Sequence, residues 1–88
     1  MAHILNKFTG VKLEDVKKQL EKDAASHAEY GMYLEHLWRN VDNPDEIFFL
    51  FRVDDLNSCK RFMKRIHAEA LKENPDIKLP QKIFLEER

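Results

Sequence analysis

The residues of this chain with chemical potential are four histidines, one cysteine, one tryptophan and an asparagine, Asn6, in an otherwise strand-like segment. Imidazole has an unperturbed pKa of about 6.5, so His27, His36 and His67 can each take or give a proton near neutral pH. Asn6 carries an amide able to orient a phenol or carbonyl oxygen, and Trp38 has a flat face on which an aromatic ring can stack. With Phe62 and Met63 these residues would line a pocket that is mostly apolar with a few polar groups, the usual composition of a small-molecule site. The chemistry that suits them is the binding or transformation of a small aromatic or carbonyl-bearing molecule, with neither metal nor cofactor.

The same side chains have a structural reading. Asn6 would bond backbone at a strand end, His36 and Trp38 would be edge-strand residues under a helix, and His27 a half-buried helix terminus. The alternative function is then a non-catalytic dimer acting as a regulator or accessory protein. Metal chemistry is poorly supported by spacing. His27-Ala28-Glu29 and His67-Ala68-Glu69 share the His-x-Glu spacing of zinc deaminases, but no Pro-Cys-x-x-Cys follows, and residues two apart on a helix diverge by about 200°. No two histidines stand four apart, so spacing defines no metal site. Cys59 falls on an apolar stripe and reads as a small hydrophobe, with no second cysteine for an internal disulfide. Lys60, Arg61, Lys64 and Arg65 form a solvated basic face that can attract an acidic ligand.

The elements that would position these residues follow from periodicity. Ala2 to Thr9 alternates with period two and Gly10 closes it, which predicts a strand. Leu13, Val16, Leu20, Ala24, His27 and Ala28 recur at three and four, predicting an amphipathic helix over 13–30 that stops at Gly31. Met32 to Asn40 and Glu46 to Val53 flank Val41-Asp42-Asn43-Pro44-Asp45, where Asn43 and Pro44 suit the start of a type I turn, so a hairpin is expected. Placing Val41 opposite Glu46 sets Trp38 against Phe49, His36 against Phe51 and Leu34 against Val53. It also sets Leu37 against Leu50 and Glu35 against Arg52. Asp54-Asp55 caps a second helix whose stripe is Leu56, Cys59, Phe62, Met63, Ile66 and Ala70, with Asn74-Pro75 ending it. A last strand runs from Lys82 to Glu87. The order β-α-β-β-α-β, with right-handed crossovers, gives an α+β, ferredoxin-like domain: a four-stranded antiparallel sheet with both helices on one face.

Length and charge narrow the classes. Eighty-eight residues, 10.5 kDa, make a single domain over 1–88. Fifteen basic against sixteen acidic residues leave no excess to hold a nucleic acid. The longest apolar run, Ile47 to Phe51, is far short of the about 20 residues of a membrane-spanning helix, so no membrane partner is expected. Met1 to Lys7 lacks the pattern of a secretory signal, and a cytoplasmic location is the expectation.

The third strand departs from simple alternation. Ile47, Phe49, Phe51 and Val53 point one way, yet Phe48 and Leu50 point the other, joined there by Leu37 and Leu5. Two helices cover only one face. Burying a large apolar side chain contributes roughly 1.5 to 3 kcal/mol, so a second copy packed sheet against sheet is the simplest cover. The expected two-fold homodimer interface carries Leu5, Leu37, Phe48 and Leu50, with Glu35, Arg39 and Arg52 nearer its rim. RNA-recognition domains also place aromatics on the third strand, but their basic-Gly-aromatic opening is missing from Glu46-Ile47-Phe48-Phe49-Leu50-Phe51.

Leu37-Trp38-Arg39-Asn40-Val41-Asp42-Asn43-Pro44-Asp45-Glu46, Val53-Asp54-Asp55-Leu56 and Ile83-Phe84-Leu85-Glu86 resemble the small dimeric α/β-barrel proteins related to the antibiotic biosynthesis monooxygenase group. The resemblance implies a homodimer whose two sheets close into a barrel, with a pocket in each subunit between sheet and helices. The wider group includes cofactor-independent oxygenases, isomerases, haem-degrading enzymes and proteins without known activity. Haem-degrading members use a first-strand Asn with a Trp and a His on the second helix. Only Asn6 carries over to that pattern, because the second helix has no Trp and its His67 lies mid-helix beside Ile66, so haem is not expected. Relatives often have a Gly-containing connection before the last strand, where this chain has Asn74-Pro75-Asp76-Ile77-Lys78-Leu79-Pro80.

Overall fold

The computed structural model describes residues 2–87, in which the chain runs β1 (Ala2–Thr9), α1 (Leu13–Glu29), β2 (Met32–Arg39), β3 (Glu46–Val53), α2 (Leu56–Glu73) and β4 (Gln81–Glu86). Local chemistry explains the boundaries. Gly31 adopts φ +72°, the left-handed conformation open to a residue without a Cβ, and so turns α1 into β2. At the start of α2 the Asp55 carboxylate accepts from the backbone N–H of Asn57 at 3.1 Å and of Ser58 at 3.2 Å, satisfying two donors the helix cannot. Asn74 closes α2, its N–H bonded to Ala70 O at 2.9 Å.

The strands form one antiparallel sheet in the order β2-β3-β1-β4, so β1 and β3 are central and β2 and β4 are edges. Both helices lie on one face. Ile4, Met32, Ile47, Phe49, Phe51 and Val53 point into that layer and meet Val16 and Leu20 of α1 and Cys59, Phe62 and Met63 of α2, all buried. Ala24 and Ala28, assigned by periodicity to the inner stripe of α1, are exposed. There α1 stands over an edge strand, and a hollow of about 560 Å³ opens between Ala24 and Leu34.

The hairpin register differs from the expectation. Arg39 lies opposite Ile47 and Asn40 N donates to Glu46 O at 2.9 Å, so the turn begins one residue earlier and Val41, 94% exposed, sits in the loop. The cause is side-chain bonding within the loop. Asn40 Oδ1 accepts from Asp42 N at 2.9 Å and Asn43 Oδ1 from Asp45 N at 3.3 Å, while Glu46 N donates to Asn43 O at 3.0 Å. Trp38 therefore faces Phe48, His36 faces Leu50 and Leu37 faces Phe49. A bulge between Leu34 and His36 absorbs one residue, after which Leu34 faces Phe51 and Met32 faces Val53. Glu35, the extra residue, reaches His3 at 3.1 Å and Arg52 at 4.0 Å.

Candidate functional site

Between the sheet and the two helices lies a cavity of about 690 Å³. Asn6, Phe49 and Phe51 come to it from the sheet, His27 from α1, and Phe62, Met63 and His67 from α2. The segment from Ile77 to Pro80, between α2 and β4, forms part of its rim, where Lys78 Nζ donates to Gly10 O at 3.4 Å. The connection before the last strand thus shapes the mouth.

Asn6 is the polar group of the floor. It is 1% exposed, and its Nδ2 donates to Ile4 O and Phe49 O, each at 3.4 Å. Those two carbonyls fix the amide orientation, since only the NH2 end can face them. Its Oδ1 is buried and has no hydrogen-bond partner among the described residues. A buried acceptor left unmatched costs about 1–3 kcal/mol, so this atom calls for a donor.

Two histidines stand on the walls. His27 packs edge-on to Phe51 with ring centroids 5.0 Å apart, and burial pushes its pKa below the ordinary value against a smaller raising effect from Asp23. Lys82 Nζ lies 2.6 Å from His67 Nδ1. An ammonium has no acceptor, so it donates and Nδ1 receives, which leaves the His67 proton on Nε2. Burial lowers the pKa of His67, and the Lys82 charge lowers it further. Burial also lowers the Lys82 pKa, partly offset by Cys59. Among the described residues no group of three or more His, Cys, Asp or Glu side chains is placed to hold a metal ion.

Of the residues singled out from sequence, Asn6, His27, Phe62, Met63 and His67 line this cavity, and His36 and Trp38 do not. The shifted register turns the latter two to the open face of the sheet, where their rings stack with centroids 4.8 Å apart and Trp38 is 45% exposed. His36 also borders the smaller hollow beside α1. Leu37 and Arg39 change sides for the same reason. Leu37 packs against the core beside Phe49, and Arg39 pairs with Ile47 on the helix-covered side. Leu5, Phe48 and Leu50 are on the open face, half-buried, with Glu35 and Arg52. Ile83 and Leu85 extend the same surface along β4, 45% and 43% exposed, and Tyr33 lies under the Arg52 guanidinium at 4.8 Å. Lys82 was not among the residues singled out. The alternation that sets Ile83 and Leu85 on one side places it on the other, but its position opposite Asn6 depends on the β1–β4 register.

The element order, the antiparallel sheet and the two helices on one face define a ferredoxin-like fold. Two solved structures share it across the whole of this chain. One is an antibiotic biosynthesis monooxygenase-like protein from Deinococcus radiodurans, with TM-score 0.65 and 13% identity over 93% of its length. The other is an uncharacterized NIPSNAP domain protein from Burkholderia xenovorans, with TM-score 0.60 and 15% identity over 95% of its length. At such identities the likeness is one of fold. No protein-family model and no curated protein matches the chain. Among the described residues no helix is long and apolar enough to cross a membrane.

Proposed function

We propose that this protein binds a small aromatic molecule bearing a hydroxyl group in the cavity between sheet and helices, and that it does so as a homodimer packed through its open sheet faces. The unmatched Oδ1 of Asn6 carries the reading. Because the Asn6 NH2 is already turned to two backbone carbonyls, the group it lacks is a donor, which favours a phenol or enol hydroxyl over a carbonyl oxygen. Phe49, Phe51 and Phe62 surround the ring with apolar and aromatic surface. His27, its pKa lowered by burial, is neutral near pH 7 and able to accept a proton, while His67, its Nδ1 taken up by Lys82, offers an Nε2–H donor. Proton removal from a bound phenol or enol is an opening step for isomerisation, and for oxygen chemistry that uses no cofactor.

A thermal-shift series with phenols tests the site. Phenols raise the melting temperature of the wild type, since a ligand that binds only the native state stabilises it by mass action, and Asn6→Leu removes the effect. An unchanged melting temperature with every phenol at millimolar concentration would exclude the reading.

A further inference from the structure

We infer that Lys82 captures a carbonyl group, forming an imine with an aromatic aldehyde or ketone, and that His67 carries the protons of that step. The inference rests on the cavity being a small-molecule site, and it names the ligand more closely: a ring with neighbouring hydroxyl and carbonyl substituents.

The geometry begins with the sheet. Asn6 and Lys82 are directly opposite on β1 and β4, on the helix-covered face. Such cross-strand pairs hold their Cβ atoms about 4.5–5.5 Å apart; Lys82 is not itself a lining residue of the cavity, and its amine meets the cavity wall through His67, which is one. Lys82 is also the lysine best placed to act as a nucleophile. Lys7 is likewise half-buried, but it faces Glu46 at 3.7 Å, and the remaining lysines are exposed. Among the described residues Lys82 makes no ion pair with a carboxylate; its partner is the imidazole of His67, which itself lines the cavity. A neutral imidazole at 2.6 Å can take a proton from the ammonium, which a carboxylate partner would instead hold in place. Partial burial of Lys82 favours the free amine in the same direction.

The step balances without an oxidant or reductant. His67 Nδ1 takes one proton from the Lys82 ammonium, and the amine lone pair forms a C–N bond to the carbonyl carbon. The carbonyl π pair moves to oxygen, which is protonated through His67 to give a carbinolamine. A second proton then passes from the nitrogen through His67 to the hydroxyl oxygen, and the C–O bond breaks with loss of water as the nitrogen lone pair so freed forms C=N. One proton remains on the resulting iminium nitrogen, and His67 ends neutral.

The test uses the full chain with 2-hydroxybenzaldehyde at neutral pH, followed by borohydride reduction and peptide mapping by mass spectrometry. The expected result is a secondary amine on Lys82 ahead of every exposed lysine, lost in Lys82→Met and in Lys82→Arg and reduced several-fold in His67→Gln. Lys82→Arg keeps a cation beside His67, so the loss can be read even if the Met variant folds poorly. Labelling spread evenly over exposed lysines such as Lys12, Lys18 and Lys64 overturns the inference. Phenol itself separates the two claims. A phenol-induced thermal shift retained in Lys82→Arg, without any Lys82 adduct in the wild type, overturns imine formation and leaves the cavity reading standing. No shift with phenol or the aldehyde removes both.

Discussion

Asn6 on β1 and Lys82 on β4 are cross-strand partners pointing into a layer otherwise built from Ile4, Ile47, Phe49, Phe51 and Val53. Two polar side chains side by side in that layer are costly for a small domain. One leaves an acceptor unmatched, and the other turns an ammonium toward an imidazole. Hydrophobic replacements at either position would pack at least as well. Their presence points to a requirement other than folding.

If so, replacing Asn6 should be nearly neutral for stability. Asn6→Leu removes the unmatched acceptor and two long bonds of 3.4 Å, while adding apolar surface to a buried site. The expected change in unfolding free energy by urea denaturation is within about 1 kcal/mol of zero, in either direction. A loss of about 3 kcal/mol or more would make Asn6 a structural residue.

The two cavity histidines set a pH dependence with a definite sign. Burial lowers the pKa of His27, and burial with the Lys82 charge lowers that of His67, so each binds protons more weakly folded than unfolded. Their contribution is complete above the unfolded value of about 6.5 and is lost as pH falls from there through the lower folded values. Melting temperature should therefore hold at about pH 7 to 8 and decline toward pH 5, with a shallower decline in His67→Gln. A rise in stability on acidification over that window would show that the folded protein favours the charged imidazoles.

The parts of the fold that could be read from the chain are those fixed by local periodicity. β1 and β3 run over the residues their alternation marks, and α2 runs between its Asp55 cap and Asn74. Asn6 was legible as a residue of the helix-covered face, where it lines the cavity, because strand parity alone places it beside Ile4 and Phe8. The hairpin register was not, because it turns on the Asn40 side chain taking the N–H of Asp42 and on a bulge at Glu35, neither of which leaves a periodic mark. That single-residue difference sent His36, Trp38, Leu37 and Arg39 to the faces opposite those expected. The Lys82–His67 contact was hidden for a related reason. It joins a strand and a helix 15 residues apart through a register set on β1.

Backbone conformation gives a separate test. Gly31 has φ +72°, and a Cβ built there would lie 3.2 Å from the Asp54 Cβ, a close approach that the strand end makes hard to relieve because Asp54 N is bonded to Gly31 O at 3.0 Å. Gly31→Ala should cost about 1–2 kcal/mol from the left-handed conformation alone, with any relaxation around Asp54 adding to it. The measurement is the shift in urea midpoint, with Ala25→Gly in the exposed face of α1 as a comparison expected to cost about 1 kcal/mol through helix propensity.

The proposed homodimer makes the last prediction. On the uncovered face of the sheet, Leu5, Phe48 and Leu50 are half-buried, while Trp38, Ile83 and Leu85 remain more than a third exposed in the single chain. Apolar side chains spread over all four strands would form a continuous surface, and burying each large one is worth roughly 1.5–3 kcal/mol. Only a partner of matching flatness and extent can cover a whole sheet, and a second copy related by a two-fold axis supplies one automatically, with the His3–Glu35–Arg52 cluster lending polar groups to the contact. Sedimentation equilibrium at micromolar concentration should give twice the chain mass for the wild type. Phe48→Glu, at the face of a central strand, should give the monomer mass, because an unpaired carboxylate in an apolar contact loses its hydration without compensation. Since the Phe48 side chain points away from the cavity, the variant should keep its folded circular dichroism spectrum. A wild type that sediments at the mass of one chain would rule out the sheet-to-sheet homodimer.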